Sequence, residues 1–477
     1  MDLDFNEMAA AMSKITNYIE TMEEQGGKKK KRKETLYKEW AEDFLKQWEY
    51  VSSHGVMERK IIYHGGVFYL WINGVYQRWD KEQMESLICR FLTEKEAANI
   101  NNVNHVLKLI ISLVHKDSNR RFNTWITDKN DNFLNPTPGL VMKNGLLLLD
   151  ECDGSVDFVK HTPEFFCLTK LLYNYEPEAK CKKWEEFVSS CVSGDEERIE
   201  LLQEWAGYLL MPGNKFQRFM LLMGVAGGGK GTYSDLMSQM LGTCNCSATS
   251  LRAMSRQFSL YASLGKMLNI AGDAETSLTD SIEGIVKEWT GGDPLTYEQK
   301  YNKNVVEQPA TAKLMVSANN EPQFADRSEG TWRRMLLVIF DRKNTDYMNV
   351  NLRRELAKEL PGILNWAIAG LQSLLFKGEF TKPTCCETRK KQYKLEANPA
   401  RVFLIENYSF VEGKLLGVKC QSIYNEYRTW CSEQGVDWLP ATVFGREVAT
   451  IFPRMTKRRI GKSADRHYIY SGIYKCP

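Results

Sequence analysis

The sequence predicts an α/β fold divided into several domains. Residues 218–242 follow the order strand, glycine-rich loop, helix, and three further apolar runs suited to buried strands occur at residues 266–271, 311–318 and 335–340. The chain has 477 residues, enough for roughly three domains at about 100–200 residues each. A sizeable hydrophobic core is therefore expected.

The composition excludes several classes of protein. Hydrophobic residues make up 43% and charged residues 26% of the chain, as in ordinary globular proteins. No apolar run approaches the roughly 18–20 residues that a membrane-spanning helix needs, and the N-terminus lacks the pattern of a secretory signal. We therefore expect an intracellular, cytoplasmic protein without a membrane span.

Neither the cysteines nor the histidines form a metal-binding motif. The 12 cysteines are scattered without a CxxC pair, and the 6 histidines form no HExxH motif. This pattern predicts reduced, mainly structural thiols and argues against zinc binding and metal-hydrolase chemistry.

The first 35 residues combine an amphipathic pattern with a basic block. Residues 1–25 carry apolar side chains at three- and four-residue spacing, which predicts a helix. Gly26 and Gly27 end that pattern, and KKKKRK follows at residues 28–33. A block of like charge is not expected to pack, so we predict a solvated linker; a DNA-contacting arm is the alternative, and a nuclear address has weak support.

Residues 36–200 predict a domain of mixed helices and strands. Four short strands are expected, over residues 67–72, 75–79, 140–142 and 145–150. The first two flank Asn73-Gly74, a dipeptide that favours a two-residue hairpin turn.

The most informative segment is the glycine-rich loop with its flanks. Phe219–Met223 predicts a buried strand, and a helix is expected to start near Thr232. Glycines let backbone N–H groups point at phosphate, a helix N-terminus attracts anions, and the Lys230 ammonium would neutralise the β- and γ-phosphates of a nucleotide. A structural glycine turn is the alternative. The predicted nucleotide-binding residues are Gly224, Val225, Ala226, Gly227, Gly228, Gly229, Lys230, Gly231 and Thr232.

One position departs from the usual phosphate-loop pattern. Gly231 follows Lys230, where Ser or Thr normally holds Mg²⁺, and Thr232 comes one residue later. Either Thr232 holds the metal, or the metal depends more on carboxylates and water. GKGT also occurs in small nucleotide kinases, so the loop alone does not separate a motor from a phosphotransferase.

Two carboxylates follow the predicted strand over residues 266–271. We assign Asp273 to Mg²⁺ binding and Glu275 to activation of the attacking water, because phosphoryl transfer requires both functions. The two roles are interchangeable on this evidence, and an acidic surface turn is the alternative.

Basic and aromatic residues alternate in and beyond the segment KEWTGGD. Lys287, Lys300 and Tyr301 are candidates for nucleic-acid contact, because lysine binds backbone phosphate and tyrosine stacks on single-stranded bases. A solvated loop is nearly as compatible with this composition.

Polar and basic residues flank the last two predicted strands. Asn319 follows the strand over residues 311–318, where an amide can position the γ-phosphate and a water molecule. Arg333 and Arg334 precede the strand over residues 335–340 and are candidates for an arginine finger, which stabilises transition-state charge across a subunit boundary.

The charge is unevenly distributed along the chain. Residues 377–477 hold 18 Lys or Arg and 10 Asp or Glu, so this stretch carries +8 and the rest −5 of the total of +3. A basic terminal region favours a polyanion-binding domain, with a simply solvated surface as the alternative.

The order of these motifs resembles helicase superfamily 3 within the AAA+ ATPases, specifically the poxvirus-type and phage/plasmid-type primase-helicase family. The resemblance extends from about residue 130 to the C-terminus. It includes LVMKNGLLLLD, CKKWEEF and LQEWAGY before the loop, and GVAGGGKGT, NIAGDAE, KEWTGGD, SANNEP and GTWRR in the core.

The resemblance implies roles for the matching residues. Such enzymes carry a Walker A motif, a Walker B motif, a DNA-contacting hairpin, a sensor and an arginine finger. In that order the matching residues are Lys230 with Thr232, Asp273 with Glu275, Lys300, Asn319, and Arg333 or Arg334. The resemblance further implies ATP and Mg²⁺ as cofactors, a homohexamer, and 3′-to-5′ travel.

The implied fold is a three-layer αβα AAA+ P-loop ATPase core with an N-terminal mixed α+β domain and a small C-terminal winged-helix-like domain. The expected segments are 1–35 (helix and linker), 36–200 (N-terminal domain), 201–345 (ATPase core), 346–395 (helical lid) and 396–477 (DNA-binding domain). No primase domain is evident, so a separate primase or polymerase is expected as a partner, in the nucleoid of a bacterial host.

The leading hypothesis is therefore an ATP hydrolase that translocates on single-stranded DNA and unwinds forked duplex, in the replication of a phage, plasmid or other mobile element. An initiator or loader that binds DNA in an ATP-dependent way without unwinding is the alternative. A third hypothesis, a nucleoside-phosphate kinase, is supported by the GKGT motif alone.

Overall fold

The structure, a computed structural model, divides into two compact units, residues 1–148 with 157–172 and residues 149–156 with 173–477. It describes residues 27–116, 123–126, 138–272, 277–278, 280–298, 306–319, 323–324, 329–341, 351–412, 417–461 and 466–476. Within these ranges no helix is long and apolar enough to cross a bilayer. The amphipathic helix predicted for residues 1–25 lies outside them.

Residues 27–172 combine three helices with small antiparallel sheets. The elements are α1 (Gly27–Lys46), β1 (Glu49–Val51), β2 (Met57–Arg59), β3 (Ile61–His64), β4 (Val67–Ile72), β5 (Val75–Trp79), α2 (Lys81–Glu94), α3 (Ile100–Val114), β6 (Thr124–Trp125), β7 (Gly139–Val141), β8 (Leu146–Leu149), β9 (Val156–Val159) and β10 (Phe165–Phe166). They form the sheets β1-β2, β3-β4-β5, β6-β10 and β7-β8-β9. Asn73 and Gly74 make the turn between β4 and β5 with φ of 53° and 93°, so the predicted hairpin is confirmed.

The basic block at residues 28–33, predicted to be a solvated linker, is helical. Helix α1 begins at Gly27 and runs through the block to Lys46. Near its end, Ala41, Phe44 and Leu45 are buried in a cluster with residues of α2, α3 and the β3-β4 pair. Because lysine is a good helix former, the helix extends back from this packed end through the charged stretch.

The second unit is built around a parallel sheet. Its elements up to residue 397 are α4 (Lys182–Cys191), α5 (Glu196–Tyr208), β11 (Phe219–Gly224), α6 (Lys230–Leu241), β12 (Cys246–Ser247), α7 (Leu251–Met254), β13 (Leu268–Ala271), β14 (Ser277–Leu278), α8 (Asp280–Gly291), β15 (Pro294–Tyr297), β16 (Val306–Pro309), β17 (Lys313–Ala318), β18 (Gln323–Phe324), α9 (Glu329–Arg334), β19 (Met335–Phe340), α10 (Leu352–Leu356), α11 (Leu360–Lys377) and α12 (Thr384–Ala397). Short 3₁₀ turns cover Thr243–Asn245, Ser259–Ser263 and Ala357–Glu359.

Five parallel strands form the sheet in the order β12-β13-β17-β11-β19. Four of them coincide with the apolar runs predicted as buried strands, so the α/β fold class is confirmed. Every residue from Phe219 to Met223 is buried, as expected where both faces of a parallel sheet are covered. Helix α6 packs on β11 and β17, and α8 adds Trp289 to the cluster on one face.

Helices α5 and α11 pack against each other at two glycines. A Cβ atom at Gly207 would lie 2.2 Å from the backbone nitrogen of Leu371, and one at Gly370 would lie 2.1 Å from the carbonyl oxygen of Gln203. This pairing makes α5 part of the second unit. The domain boundary predicted at residue 200 therefore falls inside α5.

The C-terminal part of the second unit is a small α/β module. Its elements are α13 (Pro399–Asn407), β20 (Tyr408–Phe410), β21 (Gly417–Lys419), α14 (Cys420–Gln434), α15 (Ala441–Ile451), β22 (Thr456–Ile460), β23 (His467–Ser471) and β24 (Ile473–Lys475). Three antiparallel strands have the order β21-β23-β22, and the helices pack around a shared core that includes Phe403, Tyr427 and Phe444.

Candidate functional site

The glycine-rich loop joins the carboxyl end of β11 to helix α6, which begins at Lys230, two residues earlier than predicted. Gly229, directly before the helix, has φ of 100°, and a Cβ atom there would lie 2.3 Å from Cys191 Sγ. Gly224, at the end of β11, has φ of 142°, and a Cβ atom there would lie 2.0 Å from the Phe340 carbonyl oxygen. Both positions require glycine, and Gly229 lets the chain enter the helix directly at Lys230.

Lys230 is buried, with 6% of its surface exposed. Its Nζ donates hydrogen bonds to the carbonyl oxygens of Gly224 at 2.5 Å and Val225 at 2.9 Å, and to Asn319 Oδ1 at 3.1 Å. The ammonium group is therefore held inside the loop at the N-terminal turn of α6, where the helix end adds to its attraction for anions.

Asn319 reaches the loop because its strand is the neighbour of β11. Strands β11 and β17 pair in parallel, with Met223 opposite Ala318, so Asn319 emerges beside the loop. Strand β13 is next in the sheet and pairs Ala271 with Val316. The chain after β13 thus leaves the sheet at the same edge, which is where parallel α/β sheets bind ligands.

Several predicted site residues lie outside the described part of the chain. These are Asp273, Glu275, Lys300 and Tyr301. Thr232, the other candidate for metal binding, lies in the first turn of α6 and is partly exposed, whereas Gly231 beside it is exposed.

Aromatic residues that were not predicted as part of the site pack against the helix that carries Lys230. Tyr233 stacks on Trp184 of α4, with ring centroids 5.6 Å apart, and its hydroxyl donates to the Leu202 carbonyl oxygen at 2.8 Å. Burial raises the pKa of Tyr233, so the phenol stays neutral. The CKKWEEF and LQEWAGY segments thus support the loop through contacts with its helix. Their position in the sequence alone does not reveal this role.

Arg333 and Arg334 lie at the amino ends of the parallel strands, whereas the loop lies at their carboxyl ends. Arg334 ends α9 directly before β19, and β19 pairs in register with β11, Met335 opposite Phe219. The six residues of β11, at about 3.3 Å each, separate the two edges by roughly 20 Å. The arginines therefore do not reach the loop of their own chain.

The two arginines differ in their surroundings. Arg333 is exposed, whereas Arg334 is half-buried, donates from Nη1 to the Gly330 carbonyl oxygen at 3.0 Å, and has a buried Nε without a partner. Burial, and then the charge of Arg333, lowers the pKa of Arg334. Of the two side chains, that of Arg333 is the one exposed to solvent.

A third arginine, missed by the sequence analysis, holds this group in place. Arg218 precedes β11, as Arg334 precedes β19, and its guanidinium donates to the Arg333 carbonyl oxygen. Burial, and then the charge of Arg333, lowers the pKa of Arg218. In the sequence, an arginine directly precedes each of two six-residue strands. This pattern predicts that the arginines lie together only when the register of the two strands is known.

The predicted DNA-contacting segment is a β-hairpin. Strands β15 and β16 pair antiparallel from Pro294 opposite Pro309 to Tyr297 opposite Val306, and Leu295 and Tyr297 are buried in the core. The hairpin tip lies outside the described residues. Lys287 lies on α8, partly exposed.

The C-terminal module carries a basic strand with an aromatic neighbour. Lys457, Arg458 and Arg459 of β22 are exposed. Tyr468 of β23, 48% exposed, has Lys457 Nζ 5.1 Å and Arg459 Cζ 5.9 Å from its ring centroid. Cationic and aromatic groups on one sheet face are the chemistry that phosphate and base contacts require.

Two family models match parts of the chain. A family of unknown function, DUF5906, matches residues 222–334, and the RFX DNA-binding domain matches residues 398–477. The first stretch contains the whole glycine-rich loop, Asn319 and the arginine pair, and the second is the C-terminal module.

Curated relatives share only segments with this chain. It is 36% identical over 78 residues to the RFX-like transcription factor daf-19 of Caenorhabditis elegans, covering 16% of this chain and 9% of that protein. It is 28% identical over 121 residues to the uncharacterized mitochondrial protein ymf21 of Marchantia polymorpha, covering 23% and 66%. The chain thus spans under a tenth of the first relative and just under two thirds of the second.

A solved structure covers nearly the whole chain. The A form apo structure of the NrS-1 C-terminal region aligns with a TM-score of 0.51 at 12% identity, covering 91% of this chain and 98% of that one. At this identity the likeness concerns the fold.

Proposed function

We propose that this protein is an AAA+ ATPase of helicase superfamily 3 that couples ATP hydrolysis to movement on single-stranded DNA and to unwinding of forked duplex. The observation that carries the proposal is the 3.1 Å contact between Lys230 Nζ and Asn319 Oδ1. It joins the glycine-rich loop to the carboxyl end of the neighbouring strand, a location in a parallel sheet that supports phosphate binding and the orientation of a water molecule.

The residues of the loop suit the phosphates of ATP. Gly224 and Gly229 hold the backbone of the loop in conformations that favour glycine, and Lys230 brings a positive charge to the helix N-terminus. In this proposal Thr232 and Asp273 hold Mg²⁺, and Glu275 activates the attacking water. The metal would neutralise charge that develops on the phosphates.

The location of the arginines supports catalysis between subunits. A group roughly 20 Å from its own loop can stabilise transition-state charge only at the site of a neighbour. We therefore assign the finger to Arg333, the exposed member of the pair. A closed ring with head-to-tail interfaces, here a homohexamer, supplies such a neighbour at every site.

Two features support a DNA substrate. The β15-β16 hairpin leads to Lys300 and Tyr301, which in this proposal contact single-stranded DNA together with Lys287. The C-terminal module matches the RFX DNA-binding domain and exposes Lys457, Arg458 and Arg459, and we propose that it is a winged-helix domain that binds DNA. The proposed context is a phage or plasmid in a bacterial cell, with a separate primase or polymerase.

The match to the RFX DNA-binding domain also favours a second function. An initiator or loader would bind duplex DNA at a particular site through this module and assemble with ATP, without separating strands. The two functions share the ATP site, so strand separation distinguishes them.

Unwinding of a labelled fork tests the proposal. Purified protein with ATP and Mg²⁺ should release the labelled strand, and Lys230→Ala should abolish both release and hydrolysis. Lys300→Ala should keep basal hydrolysis and lose unwinding, whereas Lys108→Ala, an exposed lysine of α3, should behave as wild type. Wild-type unwinding by Lys300→Ala would refute the hairpin assignment, and ATP-dependent assembly without strand release would favour the loader.

A further inference from the structure

A buried arginine bonds two segments of the chain that flank the glycine-rich loop. Arg198 lies in the first turn of α5 and has 6% of its surface exposed. Its Nη1 donates hydrogen bonds to the Ile339 carbonyl oxygen and to Asp341 Oδ2, each at 2.8 Å. Its Nη2 donates to the Val192 carbonyl oxygen at 2.8 Å. One guanidinium group thus joins the end of β19 to the residues that follow α4.

The same two segments contact the loop at its two ends. Phe340 ends β19, and a Cβ atom at Gly224 would lie 2.0 Å from the Phe340 carbonyl oxygen. Cys191 ends α4, and a Cβ atom at Gly229 would lie 2.3 Å from Cys191 Sγ. The loop therefore begins against one segment and ends against the other, and Arg198 fixes the distance between them.

The Arg198 side chain is held on several sides. A buried charge is costly unless it is paired and hydrogen-bonded, and here Nε also lies 3.0 Å from Asp195 Oδ2. A further bond joins the two segments, from Ser193 Oγ to Asp341 Oδ1 at 2.9 Å. Ser193 is exposed, so water competes for that bond. The buried, charged guanidinium is therefore the stronger link between the segments.

The loop needs a fixed backbone to bind phosphate. Glycine-rich loops hold phosphate through backbone N–H groups that point to one place, and a displacement of about 1 Å is enough to weaken such an arrangement strongly. Here Gly224 and Gly229 have φ of 142° and 100°, in the region that favours glycine. A link between the segments that contact these two glycines therefore acts directly on the shape of the loop.

A second ionic link on α5 lies away from the loop. Lys377, the last residue of α11, has its Nζ 2.5 Å from Glu200 Oε1 and 3.0 Å from Glu204 Oε1. Glu204 is fully buried, so loss of this link should also weaken the helix. The link joins α5 to α11 and involves neither of the segments that contact the loop. Replacement of Lys377 thus measures what a weakened α5 does by itself.

We propose that Arg198 is a positioning residue of the ATP site, which holds the glycine-rich loop in its phosphate-binding shape by joining the two segments at the ends of the loop. The inference rests on the ATPase function proposed above. A residue that only stabilised α5 would change the thermal midpoint, whereas a positioning residue also changes the loop and the affinity for nucleotide.

The test compares Arg198→Lys and Arg198→Met with the control Lys377→Met. Lysine keeps the charge but lacks the planar fork that reaches both segments, and methionine removes the charge as well. Titration with fluorescent ATP and ADP analogues should show affinity about 10-fold weaker for Arg198→Lys and weaker still for Arg198→Met, the effect of losing charge-assisted hydrogen bonds. Lys377→Met should stay within about twofold of wild type, because its contacts are independent of the loop.

Hydrogen exchange without nucleotide measures the loop directly. The amides of residues 224–229 should exchange faster in Arg198→Lys than in wild type, and at the wild-type rate in Lys377→Met. Thermal unfolding shows whether each variant folds, and all three should unfold below the wild-type midpoint because each loses ionic contacts. If Arg198→Met does not fold, Arg198→Lys decides, and wild-type affinity and exchange in that variant overturn the proposal.

The outcomes distinguish this inference from the function on which it rests. If wild-type protein binds no ATP, or Lys230→Ala binds it equally well, the proposed ATPase fails and this inference fails with it. If binding depends on Lys230 but Arg198→Lys matches Lys377→Met in affinity and exchange, the ATPase stands and the role of Arg198 is refuted.

Discussion

The ammonium group of Lys230 is buried and donates three hydrogen bonds, and these two properties characterise the candidate site. An ammonium group out of water is costly unless oxygen atoms accept its protons. Here Gly224, Val225 and Asn319 provide them. A phosphate oxygen that entered the loop would be a charged acceptor in place of a neutral carbonyl, so the site is prepared for an anion.

The two arginines before β19 should give different phenotypes. Arg333→Ala should lower ATP hydrolysis at least about 1,000-fold, the usual effect of removing an arginine finger, while ATP binding stays within about threefold. Arg334→Ala should lower the thermal midpoint, because this half-buried side chain bonds within its own turn. Steady-state hydrolysis, nucleotide titration and thermal unfolding of both variants check the assignment. The reverse pattern would move the finger to Arg334.

Lys313 should make stability depend on pH. Burial lowers the pKa of this lysine from 10.5 to about 7, although its Nζ donates to the Met211 carbonyl oxygen. Between these values the unfolded chain binds a proton that the folded chain lacks, so stability should rise with pH from about 7 toward 10.5. Lys313→Met should remove this contribution. Urea midpoints of both proteins at pH values from about 6.5 to 9.5 measure it, and a pH-independent difference between them would contradict the assignment.

The sequence predicted the location of the residues that lie next to predicted strands. Lys230 and Asn319 were placed at strand ends by apolar runs that precede them, and parallel strands bring such ends together. Arg218 and Tyr233 were missed, because their contacts depend on strand register and on how α4 and α5 pack. Asp273 and Glu275 stay predictions.

Among the helices and strands, the predictions that rested on buried apolar runs were confirmed. The strands β11 and β19 are continuous apolar runs, and such runs are typical of a parallel sheet covered on both faces. The helical conformation of residues 28–33 was not predicted, because charge repulsion is a local effect and the helix extends back from the packed end of α1. The order of the strands in the sheet was not predicted from the sequence, because tertiary packing determines that order.

The close packing of α5 and α11 gives a prediction about stability. Gly207→Ala should destabilise the protein by about 1–3 kcal/mol, because the new methyl group would overlap the backbone of α11. Gly284→Ala is the matched control, since a Cβ atom on this helical glycine of α8 would meet no described atom within 4 Å apart from the adjacent residues and backbone of its own helix. This variant should have wild-type or slightly higher stability. Denaturant unfolding of both variants is the measurement, and equal midpoints would contradict the packing account.

In the whole molecule, the loop and Arg333 lie at opposite ends of the parallel strands of one sheet, so the proposed ATP site would need residues of two subunits. Lys230→Ala and Arg333→Ala should therefore complement each other when mixed. In a randomly mixed ring about a quarter of the interfaces would join an intact Lys230 to an intact neighbouring Arg333. Hydrolysis by the mixture should approach a quarter of the wild-type rate, although each variant alone is inactive. An inactive mixture, after subunit exchange has been verified, would argue for catalysis within one chain.

The proposed function requires that DNA stimulates ATP hydrolysis by this protein. The most direct measurement is the rate of ATP hydrolysis by the purified protein with and without single-stranded DNA, with Lys230→Ala as the blank. We expect single-stranded DNA to stimulate hydrolysis several-fold and Lys230→Ala to abolish it. Hydrolysis that is indifferent to DNA, or that survives in Lys230→Ala, would contradict it.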